Sequence, residues 1–130
     1  MRTPLPPRRR SMTLQAVHVE PGVGMHHFLL TIGYDPEGRA REAFASGHRE
    51  GSALAHLMSD ACVLISIMLQ HDIPIDAIGH SLGTVPLGAE VTDGETPASL
   101  IGTIVGYLRE FESEEMAAQA VMEAEARMAA

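Results

Sequence analysis

From Ser52 to Gln70 the chain sets apolar residues at helical spacing for about five turns. Leu54, Leu57, Met58, Ala61, Cys62, Leu64, Ile65, Met68 and Leu69 form a broad apolar face. Ser52 stands where a hydroxyl can cap the first free N–H groups. The other side is mixed: His56, Ser59, Asp60, Val63, Ser66, Ile67 and Gln70. In a chain of 130 residues, the size of one domain, such a helix is the centre of the core. The remaining elements must cover it.

The segments on either side are suited to that task. Residues 13–20 alternate loosely as a first strand, and Pro21-Gly22-Val23-Gly24 is a turn. Met25 to Tyr34 is a stronger strand, with Phe28, Leu30, Ile32 and Tyr34 on one face. Asp35-Pro36-Glu37-Gly38 is a hairpin turn, since Pro presets one φ and Gly permits a positive one. Arg39 to Ser46 returns, with Ala40, Glu42, Phe44 and Ser46 sharing a face. Beyond the central helix, Pro74 opens a short helix to about Leu82, ended by Gly83, and residues 84–95 form a loop. Thr96-Pro97 reads as a cap and first helical residue, and that helix runs to about Phe111. Gly102 and Gly106 on it leave room for close approach. Ser113-Glu114-Glu115 opens a last helix rich in Ala, Met and Glu. The expected class is α+β: a small antiparallel sheet of two or three strands packed on a central helix, with further C-terminal helices. The expected division is a disordered Arg/Pro leader at 1–11, an α+β domain at 12–111 and a C-terminal helix at 112–130.

Charge limits the partners. All nine basic residues are Arg, and four of them lie at Arg2, Arg8, Arg9 and Arg10. Residues 11–130 carry five Arg against 17 acids, a net of −12. An acidic body repels a phosphate backbone, so nucleic acid is not an expected partner. No apolar run approaches the ~20 residues of a membrane span, and none follows the basic start as a secretory signal requires. Cys62 is alone, which excludes an intrachain disulfide and any multi-cysteine zinc site. The expected location is the cytoplasm.

Gly79-His80-Ser81-Leu82-Gly83 has the spacing of a nucleophile elbow. It lacks a preceding strand, Pro86 follows closely, and no His lies after His80, so Ser81 is read as structural. Seven His offer no H-x-x-x-H or H-E-x-x-H pair, and His26 and His27 point to opposite faces of a strand. No metal site is expected, and Cys62 is read as a buried small hydrophobe. The best small-ligand candidate is the start of the central helix. Gly51 and Ser52 offer free N–H groups there, and Arg39, Arg41 and Arg49 could join them around a phosphate or nucleotide.

The segment Asp60-Ala61-Cys62-Val63-Leu64-Ile65-Ser66-Ile67-Met68-Leu69-Gln70-His71, then Ile73-Pro74-Ile75, carries a family resemblance. With Gly51-Ser52 and the hairpin of residues 35–44 ahead of it, it resembles the TSCPD-type domain. That domain lies at the C-terminal end of cobalamin-dependent (class II) ribonucleotide reductases and also occurs in small stand-alone members. The likeness covers about residues 24–108, and Asp60, Ser66, Gln70 and His71 carry its signature. The Thr-Ser-Cys-Pro-Asp stretch would fall near Thr96-Pro97-Ala98-Ser99-Leu100, where no cysteine stands. Nucleotide reduction needs a radical-bearing thiol and a redox pair, which one Cys cannot supply. The resemblance therefore implies a non-catalytic accessory or interaction module, with a ribonucleoside-diphosphate reductase label describing ancestry. Cobalamin enters only through the reductase family, and no cofactor is expected on this chain. A protein partner in nucleotide metabolism and a homodimer through the last helix are the expected associations. A small-ligand module at 49–52 and an authentic enzyme are the alternatives.

Overall fold

The computed structural model describes residues 1–47, 51–87 and 94–129. Strands β1 (Ser11–Glu20), β2 (Gly24–Tyr34) and β3 (Ala40–Ser46) form an antiparallel sheet in the order β1-β2-β3. Period-two alternation sends Ala16, Phe28, Leu30, Ile32 and Tyr34 to one face, and the 18-residue helix α1 (Ala53–Gln70) packs there. Helix α2 (Ile75–Gly79) follows, then a small hairpin of β4 (Thr84–Pro86) and β5 (Glu95–Pro97). Helix α3 (Leu100–Ala129) closes the core with Ile104, Val105 and Leu108. The fold is α+β.

Several local expectations are corrected. The pairing shifts between Gly33, opposite Glu42, and Tyr34, opposite Ala40, so Arg41 is an inserted residue. One inserted residue reverses the parity of a strand. Ala40, Ala43 and Ala45 therefore face the core, whereas Phe44 is 57% exposed on the outer face. Glu42 lies over Gly33, where a Cβ would collide with its carboxylate.

α1 is also narrower inside than its composition suggested. Ile65 is 2% exposed, but Leu64 is 61% exposed, and Leu57 is exposed too. Ser66 and Gln70, assigned to the outer side, are buried. The sheet covers α1 from one side only, so the buried stripe follows β3 rather than the most apolar arc. By length and composition alone α1 could cross a membrane, with mean hydropathy 1.6 over 18 residues. That revises the expectation of no span-like segment; in the fold its inner stripe lies on the sheet.

The short helix stops at Gly79, not Leu82, and Gly83 instead accepts the Ala98 N–H through its carbonyl. Part of the expected 84–95 loop is paired as β4 and β5, and Thr96 and Pro97 belong to β5. Ser99 is the cap of α3: its Oγ accepts the Gly102 N–H at 3.1 Å. α3 then runs unbroken through Ser113, because nothing there opposes a helix and Glu115 is buried beside Arg10 at 3.3 Å. Of residues 1–11, expected as a disordered leader, Ser11 opens β1, and the segment before it contains no helix or strand but lies against the fold. The Thr3 N–H donates to the Gln70 carbonyl at 2.7 Å, and Arg9 pairs with Glu42.

Candidate functional site

The family-like segment of α1 meets the outer edge of β3. Four helical residues advance about 6 Å, and two strand residues advance about 6.6 Å. Side chains at i, i+4 and i+8 of a helix can therefore match alternate residues of a strand. Cys62, Ser66 and Gln70 do so. Ser66 Oγ accepts the Ala43 N–H at 2.9 Å and donates to the Ala43 carbonyl at 3.3 Å. Gln70 Nε2 donates to the Arg41 carbonyl at 3.1 Å, and the buried Cys62 lies in the same row, one turn before Ser66. Arg2 Nε donates to Gln70 Oε1 at 2.6 Å. Glu112 takes the Ala40 N–H at 2.9 Å. An edge that could recruit another strand is thereby satisfied internally. Burial pushes the Cys62 thiol up to about 11, so it stays protonated and unreactive near neutrality.

The inserted Arg41 reaches the far end of α1. Its guanidinium donates to Asp35 Oδ2 at 2.8 Å, to the Leu69 carbonyl at 2.6 Å and to Asp72 Oδ1 at 2.8 Å. A cation there complements the negative end of the helix. Burial pushes the Asp35 carboxyl up, but hydrogen bonds from Arg41, Arg39 and Glu37 outweigh it and hold the group below the usual carboxylate range.

The anion set read from sequence is not assembled. Ser52 caps α1, with its Oγ accepting the Ala55 N–H at 3.2 Å, and Gly51 before it has φ 79°. Arg41 sits at the opposite end of that helix, roughly 27 Å away at 1.5 Å per residue. Arg39 is exposed beside the hairpin turn, and Arg49 lies outside the described residues. Of the signature set, Ser66 and Gln70 belong to the helix–strand contact. Asp60 and His71 are exposed, and the His71 N–H closes α1 on the Ile67 carbonyl at 3.1 Å.

Two other spaces flank these residues. A groove of about 270 Å³ runs along the junction of β3 and α1, lined by Arg2, Phe44, Ser59, Val63 and Ile67 among others. A cleft of about 400 Å³ lies between α2 and α3, lined by Gly79, His80, Thr84 and Gly106, with the Asp76–Arg109 ion pair (2.9 Å) at its side. Ser81 follows the short α2, not a strand. Among the described residues no group of three or more His, Cys, Asp or Glu is placed to hold a metal ion.

Sequence reasoning passed over His18. It is buried on the inner face of β1, its Nδ1 lies 2.6 Å from Thr103 Oγ1, and its ring stacks on His26 at 6.0 Å. The signal was available, because His18 shares parity with Met12, Leu14 and Ala16.

The family described as TSCPD domain matches residues 2–112. Two curated relatives are named vitamin B12-dependent ribonucleotide reductase, one from Bradyrhizobium diazoefficiens and one from Agrobacterium fabrum. Each is 35% identical over 75 residues, which is 58% of this chain and 6% of the relative. The chain thus corresponds to a small part of those proteins. No solved structure matches.

Proposed function

Because the chain belongs to the TSCPD domain family, we propose that it is a non-catalytic accessory domain that works beside a B12-dependent ribonucleotide reductase. The observation that carries this reading is the use of the matched segment. Its single thiol is buried, and its polar residues Ser66 and Gln70 are spent on the backbone of β3. Outward, α1 presents Leu57, Val63 and Leu64 among polar residues such as Asp60, and Val63 lines the groove with Phe44 of β3. Exposed apolar groups of this kind suit docking to a protein partner. The cleft of about 400 Å³ between α2 and α3 is too small to enclose a corrin ring with its side arms. In this reading the cofactor stays with the reductase, and the setting is cytoplasmic deoxyribonucleotide synthesis.

The test uses the purified chain, a purified B12-dependent reductase from the same host, adenosylcobalamin, a ribonucleotide and a dithiol. The chain alone should give no deoxyribonucleotide, and it should bind the reductase in sedimentation. Leu64→Glu should weaken that binding without unfolding the chain. Turnover by the chain alone, or no binding to the reductase, overturns the reading.

We also infer that the end of α3 supports a homodimer. Met116, Val121, Met122 and Met128 are exposed there, on a stretch rich in Ala and Glu. An isolated helical extension of this length is marginal in water, so a second copy that covers it would be stabilising.

A further inference from the structure

Leu100 opens the longest helix of the chain, and its first turn contains no acidic residue. Ser99 satisfies part of that end through Oγ to the Gly102 N–H and its carbonyl to the Thr103 N–H, both at 3.1 Å. The Leu100 and Ile101 N–H groups have no partner inside the helix. Leu100 lines a cavity of about 270 Å³ together with His18, Glu20, His26, Leu54 and Ser99. Leu54 is the second residue of α1, which also lacks an acidic residue in its first turn. The positive ends of the two long helices thus approach one space.

A helix start alone would be unremarkable; His18 is the second observation. It is 5% exposed and lines the cavity. Its Nδ1 is taken by Thr103 Oγ1, and its Nε2 has no hydrogen-bond partner among the described residues. A buried polar atom without a partner is costly, so such atoms usually face water or a ligand. When the Thr103 hydroxyl donates to Nδ1, the ring proton sits on Nε2 and is offered to the cavity. The charged and titratable neighbours are His26, stacked on His18, and Glu20. Glu20 Oε2 lies 3.0 Å from His26 Nε2.

We propose that this cavity binds a compact oxyanion, a phosphate carried free or as the end group of a small phosphoester. The Leu100 N–H and His18 Nε2 hold its oxygens, and Leu54 and Leu100 flank any organic part. The site is separate from the helix–strand contact and uses none of the arginines.

The test is a titration of the ¹⁵N-labelled full chain with inorganic phosphate and, separately, with glycerol 3-phosphate, at constant ionic strength held with chloride. Saturable shifts of the Leu100 amide and of the His18 ring nitrogens are expected. His18→Phe keeps an aromatic ring against His26 but has no Nε2, and it should weaken binding at least tenfold. His27→Gln, on the outer face, should bind as the parent does. Tighter binding of the ester assigns the phosphoester as the source, and equal binding assigns free phosphate. Linear, non-saturating shifts, or unchanged affinity in His18→Phe, overturn the proposal. Should that variant fail to fold, a His18 Nε2 resonance that stays unmoved at high phosphate in the parent chain overturns it equally.

Discussion

Ser66 Oγ serves both backbone polar atoms of Ala43, accepting the N–H at 2.9 Å and donating to the carbonyl at 3.3 Å. The hydroxyl does for β3 what a fourth strand would otherwise do. Ser66→Ala leaves a buried N–H and carbonyl without partners. We expect a loss of about 1–3 kcal/mol in urea unfolding. A loss below about 0.5 kcal/mol would show that water replaces the hydroxyl at no cost.

Adjacent residues on α1 should behave oppositely. Ile65→Ala empties a packed position and should cost roughly 2–5 kcal/mol, a large share of domain stability. Leu64→Ala, at 61% exposure, should stay within about 0.5 kcal/mol. Equal losses from the two would mean that α1 is rotated from the orientation described.

Two acid-side effects should separate by pH. The folded value of Asp35 lies below the unfolded value of about 3.9. Its contribution is complete above that pH and is lost as pH falls through the folded value. Burial, followed by repulsion from His26, depresses His18, with Glu20 opposing. Its unfolded form takes up a proton first, so stability is complete above about 6.5 and falls as pH drops from there toward the folded value. Stability measured against pH should flatten in the upper window for His18→Phe and in the lower window for Asp35→Asn. A slope retained in both variants would contradict these assignments.

Cys62 should react slowly in the native chain. With its thiol pushed up to about 11 and its side chain buried, labelling by a disulfide reagent at pH 7.5 should be far slower than in urea. Equal rates would show that α1 opens readily from β3.

The dimer is best tested by truncation after Gln119. Glu115 pairs with Arg10, and both Glu115 and Gln119 lie within about 3.3 Å of where a Cβ at Gly38 would stand, so cutting at Glu112 would damage the fold itself. The full chain should sediment as a dimer, and the shortened chain as a folded monomer. A monomer at high micromolar concentration for the full chain ends this proposal.

What could be read without the fold was governed by near neighbours in the chain. The Asp35–Gly38 turn follows from Pro36, from Gly38 at φ 89° and from the Asp35 carboxylate accepting the Glu37 and Arg39 N–H groups. The Ser52 cap, the extent of α1 and the first two strands rest on equally local rules, and the family resemblance rests on the same helix. Tertiary contact decided the rest. The bulge that turns Phe44 outward arises from pairing with β2, and the burial of Ser66 over Leu64 arises because β3 offers backbone groups that only a polar side chain can satisfy. The β4–β5 hairpin and the start of α3 at Ser99 depend on partners outside their own segments. The cavity at His18 needs residues 18, 26, 54 and 99 in one place. No local propensity encodes that meeting; it exists only once the sheet, α1 and α3 have buried their apolar faces together.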